Sequence, residues 1–213
     1  MALKGRMSQT ILNVSFLALD LSLFLYLSFP SNPGNIDARR PTRTNSSQSI
    51  QNVKASILRS VYVADSLVLP VVQQPSGKPN YVSTNNGEVT QFSSASEYGN
   101  IGLLAHNYLS GESFSHLAVG QEVRLVYDDG DTEYFVVSQI LQYQALDPKS
   151  PFSSFQNLNN QNEILSAQQM FERVYEGDHH ITFQTCIAKY GESSWGRLFV
   201  VAVPESRSLG FVH

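Results

Sequence analysis

The chain of 213 residues contains a single cysteine, Cys186. A lone thiol cannot pair within the chain, so no intrachain disulfide holds the fold. Nor can it supply the several thiolates of a structural zinc site. Charge is scarce as well: Asp, Glu, Lys and Arg make up 15% of the residues, against about 25% in ordinary soluble domains. There is no surplus of positive charge either, with 14 Lys+Arg against 18 Asp+Glu and a net charge of -4. A nucleic-acid binder needs a dense cationic face to neutralise phosphates, and this composition argues against that class.

Long apolar runs are absent with one exception. Ile11 to Phe29 holds 14 apolar residues out of 19, and only Asn13, Ser15, Asp20, Ser22 and Ser28 are polar. As a helix it would span roughly 28 Å, close to the ~30 Å hydrocarbon core of a bilayer. Asp20 costs about 2.5 to 3.5 kcal/mol at that depth, and the twelve Leu, Ile, Phe and Val residues offset it at about 0.3 to 0.6 kcal/mol each. The expectation is an uncleaved signal anchor at 11–29 behind a short N-terminus, 1–10. A cleaved signal peptide is disfavoured because Phe29-Pro30-Ser31-Asn32-Pro33 lacks an Ala-x-Ala-like site. A buried core helix is the third reading. Arg39, Arg40 and Arg43 compete with Lys4 and Arg6, so charge alone does not orient the segment.

Residues 30–55 contain no aromatic residue and no periodic apolar pattern, and read as a polar tether. From residue 56 to 206 the composition shifts to short β-branched and aromatic runs, which marks one domain; 207–213 is a tail. The runs are Ser60 to Val63, Leu67 to Gln73, Val89 to Phe92, Ile101 to Ala105, Glu122 to Tyr127, Thr132 to Gln144, Ile181 to Cys186 and Arg197 to Val203. Clusters of Gly, Asn, Asp and Ser separate them, so a mostly antiparallel all-β domain of about eight strands is expected. Asp128-Asp129-Gly130-Asp131 reads as a hairpin turn whose carboxylates lack the further ligands of a calcium loop. Ser166-Ala167-Gln168-Gln169 is a capping box opening one short helix.

The chemistry depends on what surrounds Cys186. Strand alternation sends Thr182, Gln184 and Cys186 to one face and Ile181, Phe183 and Thr185 to the other. With Cys186 closing one strand and Arg197 opening the next after the Gly- and Ser-rich stretch 190–196, an antiparallel hairpin sets the guanidinium beside the thiol. An adjacent cation favours thiolate, the nucleophilic form. A proton donor must complete such a site, and five histidines compete for that role. His179 and His180 lie roughly 20 Å away along the strand, His116 precedes a strand, and His213 is terminal. His106 sits where a strand meets a loop, as Cys186 does, and a surface histidine at a turn is its plain alternative. Zinc at Asp178-His179-His180 lacks a further ligand.

Gly102-Leu103-Leu104-Ala105-His106-Asn107, Thr182-Phe183-Gln184-Thr185-Cys186 and Arg197-Leu198-Phe199-Val200 together resemble the sortase family. Its sites are a His after an apolar strand, a Thr-Leu-x-Thr-Cys strand and an Arg on the next strand. Residues 119–125 and 134–137 are similar to its two central strands, and the likeness extends over about 56 to 204. Phe183 stands where Leu is usual, and Asn107 where a charged residue is common, which bears on subclass. The resemblance implies a closed or nearly closed eight-stranded β-barrel with one or two short helices, and catalysis by His106, Cys186 and Arg197. It further implies substrate contacts at Ala105, Asn107 and Thr185, with no cofactor and no metal. The implied substrates are exported proteins bearing a C-terminal Leu-Pro-x-Thr-Gly-like sorting signal, transferred to an amine of the cell envelope or of another subunit. The N-terminus would be cytoplasmic and the catalytic domain extracellular. A sortase-like hydrolase has the same residues. An L,D-transpeptidase would need a His-Gly-Cys neighbourhood that Cys186 lacks. A tethered binding module with a core thiol is the non-enzymatic alternative.

Overall fold

A computed structural model of the chain describes residues 56–64, 67–150 and 152–205. The apolar run 11–29, the tether through residue 55 and the tail 207–213 lie outside the described residues. Among the described residues no helix is long and apolar enough to cross a membrane.

All eight expected strands form: β1 (Leu58–Val63), β2 (Leu67–Gln73), β3 (Val89–Phe92), β4 (Ile101–Leu104), β5 (Glu122–Tyr127), β6 (Thr132–Ala145), β9 (Ile181–Lys189) and β10 (Glu192–Pro204). They close into a barrel in the order β10-β9-β4-β3-β2-β1-β5-β6, with β6 pairing back onto β10. Two short strands, β7 (Phe155–Asn157) and β8 (Ile164–Leu165), extend the sheet beyond β6 as an arm. The ladder is mixed rather than all antiparallel, because β2 pairs with β3 and β4 with β9 in parallel. Parallel neighbours need long crossover connections, and both pairs have them: 74–88 between β2 and β3, and 105–180 between β4 and β9.

Alternation fills the interior. All eight barrel strands contribute to one buried cluster, including Val61, Leu69, Val89, Leu103, Leu125, Phe135, Phe183 and Val200. An eight-stranded barrel is just wide enough for side chains to fill, so any site must lie at an end or on the outer surface. A second cluster covers part of that surface. Leu104, Tyr143, Cys186 and Phe199 point outward and meet Phe155 of the arm and Met170, Phe171, Val174 and Tyr175 of helix α2 (Ala167–Tyr175). A shorter helix, α1 (Ser93–Ser96), follows β3.

Strand β6 serves both clusters through an irregularity. Val201 pairs with Gln139 and Ala202 with Val137, leaving Ser138 as an extra residue. Below this bulge Phe135 and Val137 face the interior, and above it Leu141, Tyr143 and Ala145 belong to the outer cluster. One inserted residue reverses the side to which odd positions point.

Helix α2 begins as expected: Ser166 accepts from the Gln169 amide and the Gln169 side chain returns to the Ser166 amide. Its C-terminal carbonyls are satisfied by the barrel. Val174 O accepts from Thr182 Oγ1 at 2.6 Å and lies 2.9 Å from His180 Nε2, and Tyr175 O accepts from Asn100 Nδ2 at 2.8 Å. The Tyr175 hydroxyl donates to Gln184 Oε1, and its ring lies over Gly102, where a Cβ would approach Tyr175 Cε1 to 3.0 Å. The acidic turn 128–131 forms with Gly130 at φ 92°. Its carboxylates accept from Ser56 and the Ile57 amide and pair with Arg59.

Burial pushes the Tyr175 phenol well above its ordinary value of 10.0. Below about pH 10 the phenol is neutral in both states, so its contribution is fully present; above it the unfolded chain ionises while the folded one resists, and stability is lost. Stability measured by urea unfolding is therefore expected to fall as pH rises above about 10. Tyr175→Phe should reduce that fall, while costing about 1 to 3 kcal/mol at neutral pH because Gln184 loses a buried donor. An unchanged alkaline slope in Tyr175→Phe would contradict this account.

Candidate active site

Four strands bring the candidate residues into one row on the outer face. Cys186 of β9 is the antiparallel partner of Arg197 on β10, and Arg197 is the partner of Tyr143 on β6, which in turn faces Asn157 of the arm. On the other side of β9, the parallel register pairs Leu104 with Gln184. The pairing continues past the end of β4, since the Ala105 amide donates to Gln184 O at 3.2 Å. Two residues beyond Leu104, this register sets His106 level with Cys186. All three groups are withdrawn from water: His106 is 7% exposed, Cys186 6% and Arg197 1%.

Cys186 is not at the end of its strand, since β9 runs on to Lys189. The stretch 190–196 is likewise not an open connection. Tyr190 (φ 54°) and Gly191 (φ 79°) make a two-residue turn of the left-handed kind that hairpins favour. The register then slips: four steps on β10, from Glu192 to Gly196, face two steps on β9, from Lys189 to Ile187. The two extra residues form a bulge whose carbonyls turn toward the site. Arg197 NH1 donates to Ser194 O at 3.0 Å and to Gly196 O at 2.9 Å, and its guanidinium carbon lies 5.8 Å from the Phe155 ring centre.

His106 is held by the turn that follows it. Its carbonyl accepts from the Leu109 and Gly111 amides, both at 3.0 Å, and its ring stacks on Tyr108 with centres 5.2 Å apart. A 3-10 helix, Ser110–His116, then caps the barrel end with Phe114 edge-on to Phe183. His116 closes that helix on the exposed surface. His180 has Asp178 O at 2.7 Å from Nδ1 and Val174 O at 2.9 Å from Nε2, so its ring serves the α2 terminus. His179 lies against Gly99 O and Glu133. His213 is outside the described residues. Among the described residues no group of three or more His, Cys, Asp or Glu side chains could hold a metal ion.

The three flanking positions have structural partners. Thr185 points away from Cys186 and donates its hydroxyl to Ala105 O at 2.8 Å, stitching β9 to the end of β4. Ala105 is buried in the interior cluster. Asn107 Nδ2 donates to Ser193 O at 3.0 Å. Nothing in the sequence marks Tyr143 and Phe155 as site residues. The outward turn of Tyr143 depends on the Ser138 bulge, which leaves no pattern in the residues themselves. Burial, reinforced by Glu163, raises the Tyr143 phenol above its ordinary value; its hydroxyl lies 3.4 Å from Glu163.

No protein-family model matches the chain, and no curated protein matches it. Among solved structures it is similar to sortase C1 of Streptococcus agalactiae, with 18% identity and a TM-score of 0.45, covering 71% of this chain and 68% of that one. It is similar to sortase A of Listeria monocytogenes at 16% identity and a TM-score of 0.45, covering 71% of this chain and 88% of that one. Sortase C of Clostridium perfringens gives 16% identity and a TM-score of 0.40, over 70% and 69%. All three are sortases.

Gly111 tests how tightly this end of the barrel is packed. A Cβ there would collide with Thr185 Oγ1 and stand 2.7 Å from the carbonyl oxygens of both Ala105 and His106. Two of those neighbours are backbone, so the junction must move. Gly111→Ala is expected to cost about 1 to 3 kcal/mol or more, read as a lowered Tm. A Tm equal to that of the unaltered chain would refute the close approach.

Proposed function

We propose that the chain is a sortase-like cysteine transpeptidase. The observation that carries the reading is the buried group in which Cys186 is flanked by His106, two residues past the end of β4, and by Arg197 on β10. A cation beside a thiol favours thiolate, and an imidazole at the same level can exchange the proton that amide cleavage requires.

In this mechanism the Cys186 thiolate attacks a peptide carbonyl carbon. Arg197 faces the negative charge that develops on oxygen, or holds the substrate backbone; a fixed, desolvated cationic donor suits either task. The C–N bond breaks as His106 gives its proton to the departing amine, leaving a thioester on Cys186. An incoming amine then attacks the thioester, His106 takes up its proton, and the new amide leaves as the thiolate is restored. Atoms balance without cofactor or metal. The proposed donor is an exported protein with a C-terminal Leu-Pro-x-Thr-Gly-like signal, and the acceptor an amine of the envelope or of another subunit. The apolar run 11–29 and the tether 30–55 support a single-pass membrane placement, and an outer position of the domain follows from the sortase-like reading.

Incubation with Leu-x-x-Thr-Gly-like peptides, with and without amine nucleophiles, read by mass spectrometry, separates transfer from hydrolysis. Cys186→Ala is expected to abolish both, since the chain has no second thiol; an acyl-enzyme in that variant would sink the proposal. Arg197→Lys keeps the charge but loses the planar fork, and turnover should fall on the order of 100-fold with the pH profile unchanged in shape. His106→Gln should cost about 100- to 10,000-fold and remove one limb of the profile. Both limbs persisting in His106→Gln would exclude His106.

A further inference from the structure

The β10 bulge and Gly196, the residue that resumes the ladder, turn three carbonyls toward neighbouring side chains. Ser194 O and Gly196 O hold Arg197, as described above. The third, Ser193 O, accepts from Asn107 Nδ2 across 86 positions of sequence. Asn107 is the residue next to His106, on the turn whose amides bind the His106 carbonyl. One irregular segment of β10 therefore touches both flanks of Cys186, holding Arg197 directly and the His106 turn through a single side-chain amide.

We infer that Asn107 is a positioning residue, which fixes the His106 turn to the bulge that orients Arg197; the inference rests on the transpeptidase reading above. The residue type fits the task. Ser193 O is an acceptor, so its partner must donate. A carboxylate of the same size would instead set negative charge against a carbonyl oxygen, and Gln would overshoot by one methylene. The bulge departs from the ladder register between Glu192 and Gly196, and contacts from outside the ladder fix its direction. The Ser194 hydroxyl lies 3.0 Å from Glu192 Oε1 and 3.2 Å from Pro148 O. With the Asn107 amide engaged by protein, the residue acts through His106 and the bulge. Substrate contact is not required of it.

Displacing a reacting group by about 1 Å can cost on the order of 100-fold in rate. In the full chain, Asn107→Ala is expected to lower kcat about 10- to 100-fold with KM within about twofold, whichever residues flank the scissile bond. Asn107→Asp, of equal size, should lose at least as much. The loss should combine with that of Arg197→Lys in a less than multiplicative way, since both act through the bulge. Thermal unfolding checks that each variant is folded. Alkylation of Cys186 by iodoacetamide as a function of pH supplies a readout that needs no substrate: in Asn107→Ala the profile should move toward that of an ordinary thiol, near pKa ~8.5. Unchanged kcat in folded Asn107→Ala, or a rise in KM alone that varies with the peptide, would overturn the inference. If the unaltered chain transfers no peptide, the transpeptidase reading fails and the alkylation profiles decide the role of Asn107: a shift supports it, and coincident profiles refute it.

Discussion

A guanidinium 1% exposed is the largest fully buried side chain among the described residues, and the structure around the site follows from keeping it there. Arginine stays protonated, so it cannot shed its charge on burial as a lysine can. Desolvating an ion costs several kcal/mol unless its donors are met. Ser194 O of the bulge and Gly196 O at its edge meet one nitrogen of Arg197, and the Phe155 ring centre lies 5.8 Å from its carbon. In a regular hairpin Ser194 would sit in the ladder, and a barrel without the β7–β8 arm would lack Phe155.

The same bulge sets who faces the thiol. A tight turn at Tyr190-Gly191 pairs Lys189 with Glu192, and a regular continuation would bring Trp195 opposite Cys186. Two inserted residues move the pairing on to Arg197. Pairing, orientation of the cation and anchorage of the His106 turn are thus set by one local departure from strand geometry. Bulges beside active sites have this use: they re-aim side chains where regular pleating would not.

Most of the barrel was legible in the residues because period-two alternation and turn punctuation are local signals. Eight strands fall where the runs lie, and the capping box at Ser166 opens α2 as written. The adjacency of Arg197 and Cys186 is also legible, but it does not arise from strands that end at those residues: β9 continues to Lys189 before the turn, and the register then slips. Parallel pairing, the arm and the reversal at Ser138 left no such trace. Each depends on contacts between segments far apart in the chain, as Tyr143 illustrates. Read as one uninterrupted strand with Phe135 and Val137, it should point inward, and it faces outward beside Arg197.

The outward placement has a physical consequence for the thiol. Because eight strands fill their own interior, the face that carries Cys186 is covered from outside, and α2 with the arm supplies that cover. Helix α2 is fastened to the very strand that bears Cys186 and to the residue before it: Thr182 and His180 bind Val174 O, and Tyr175 donates to Gln184, two positions before the thiol on the same face. Low dielectric on the covered side strengthens the influence of Arg197 and His106 on Cys186, since nearby water would screen it. Loosening α2 would therefore weaken the electrostatics of the row before it disturbed the barrel, whose interior cluster does not include the helix. Stability of the outer cluster and the surroundings of Cys186 are linked by construction, while the inner cluster holds the strands on which both depend.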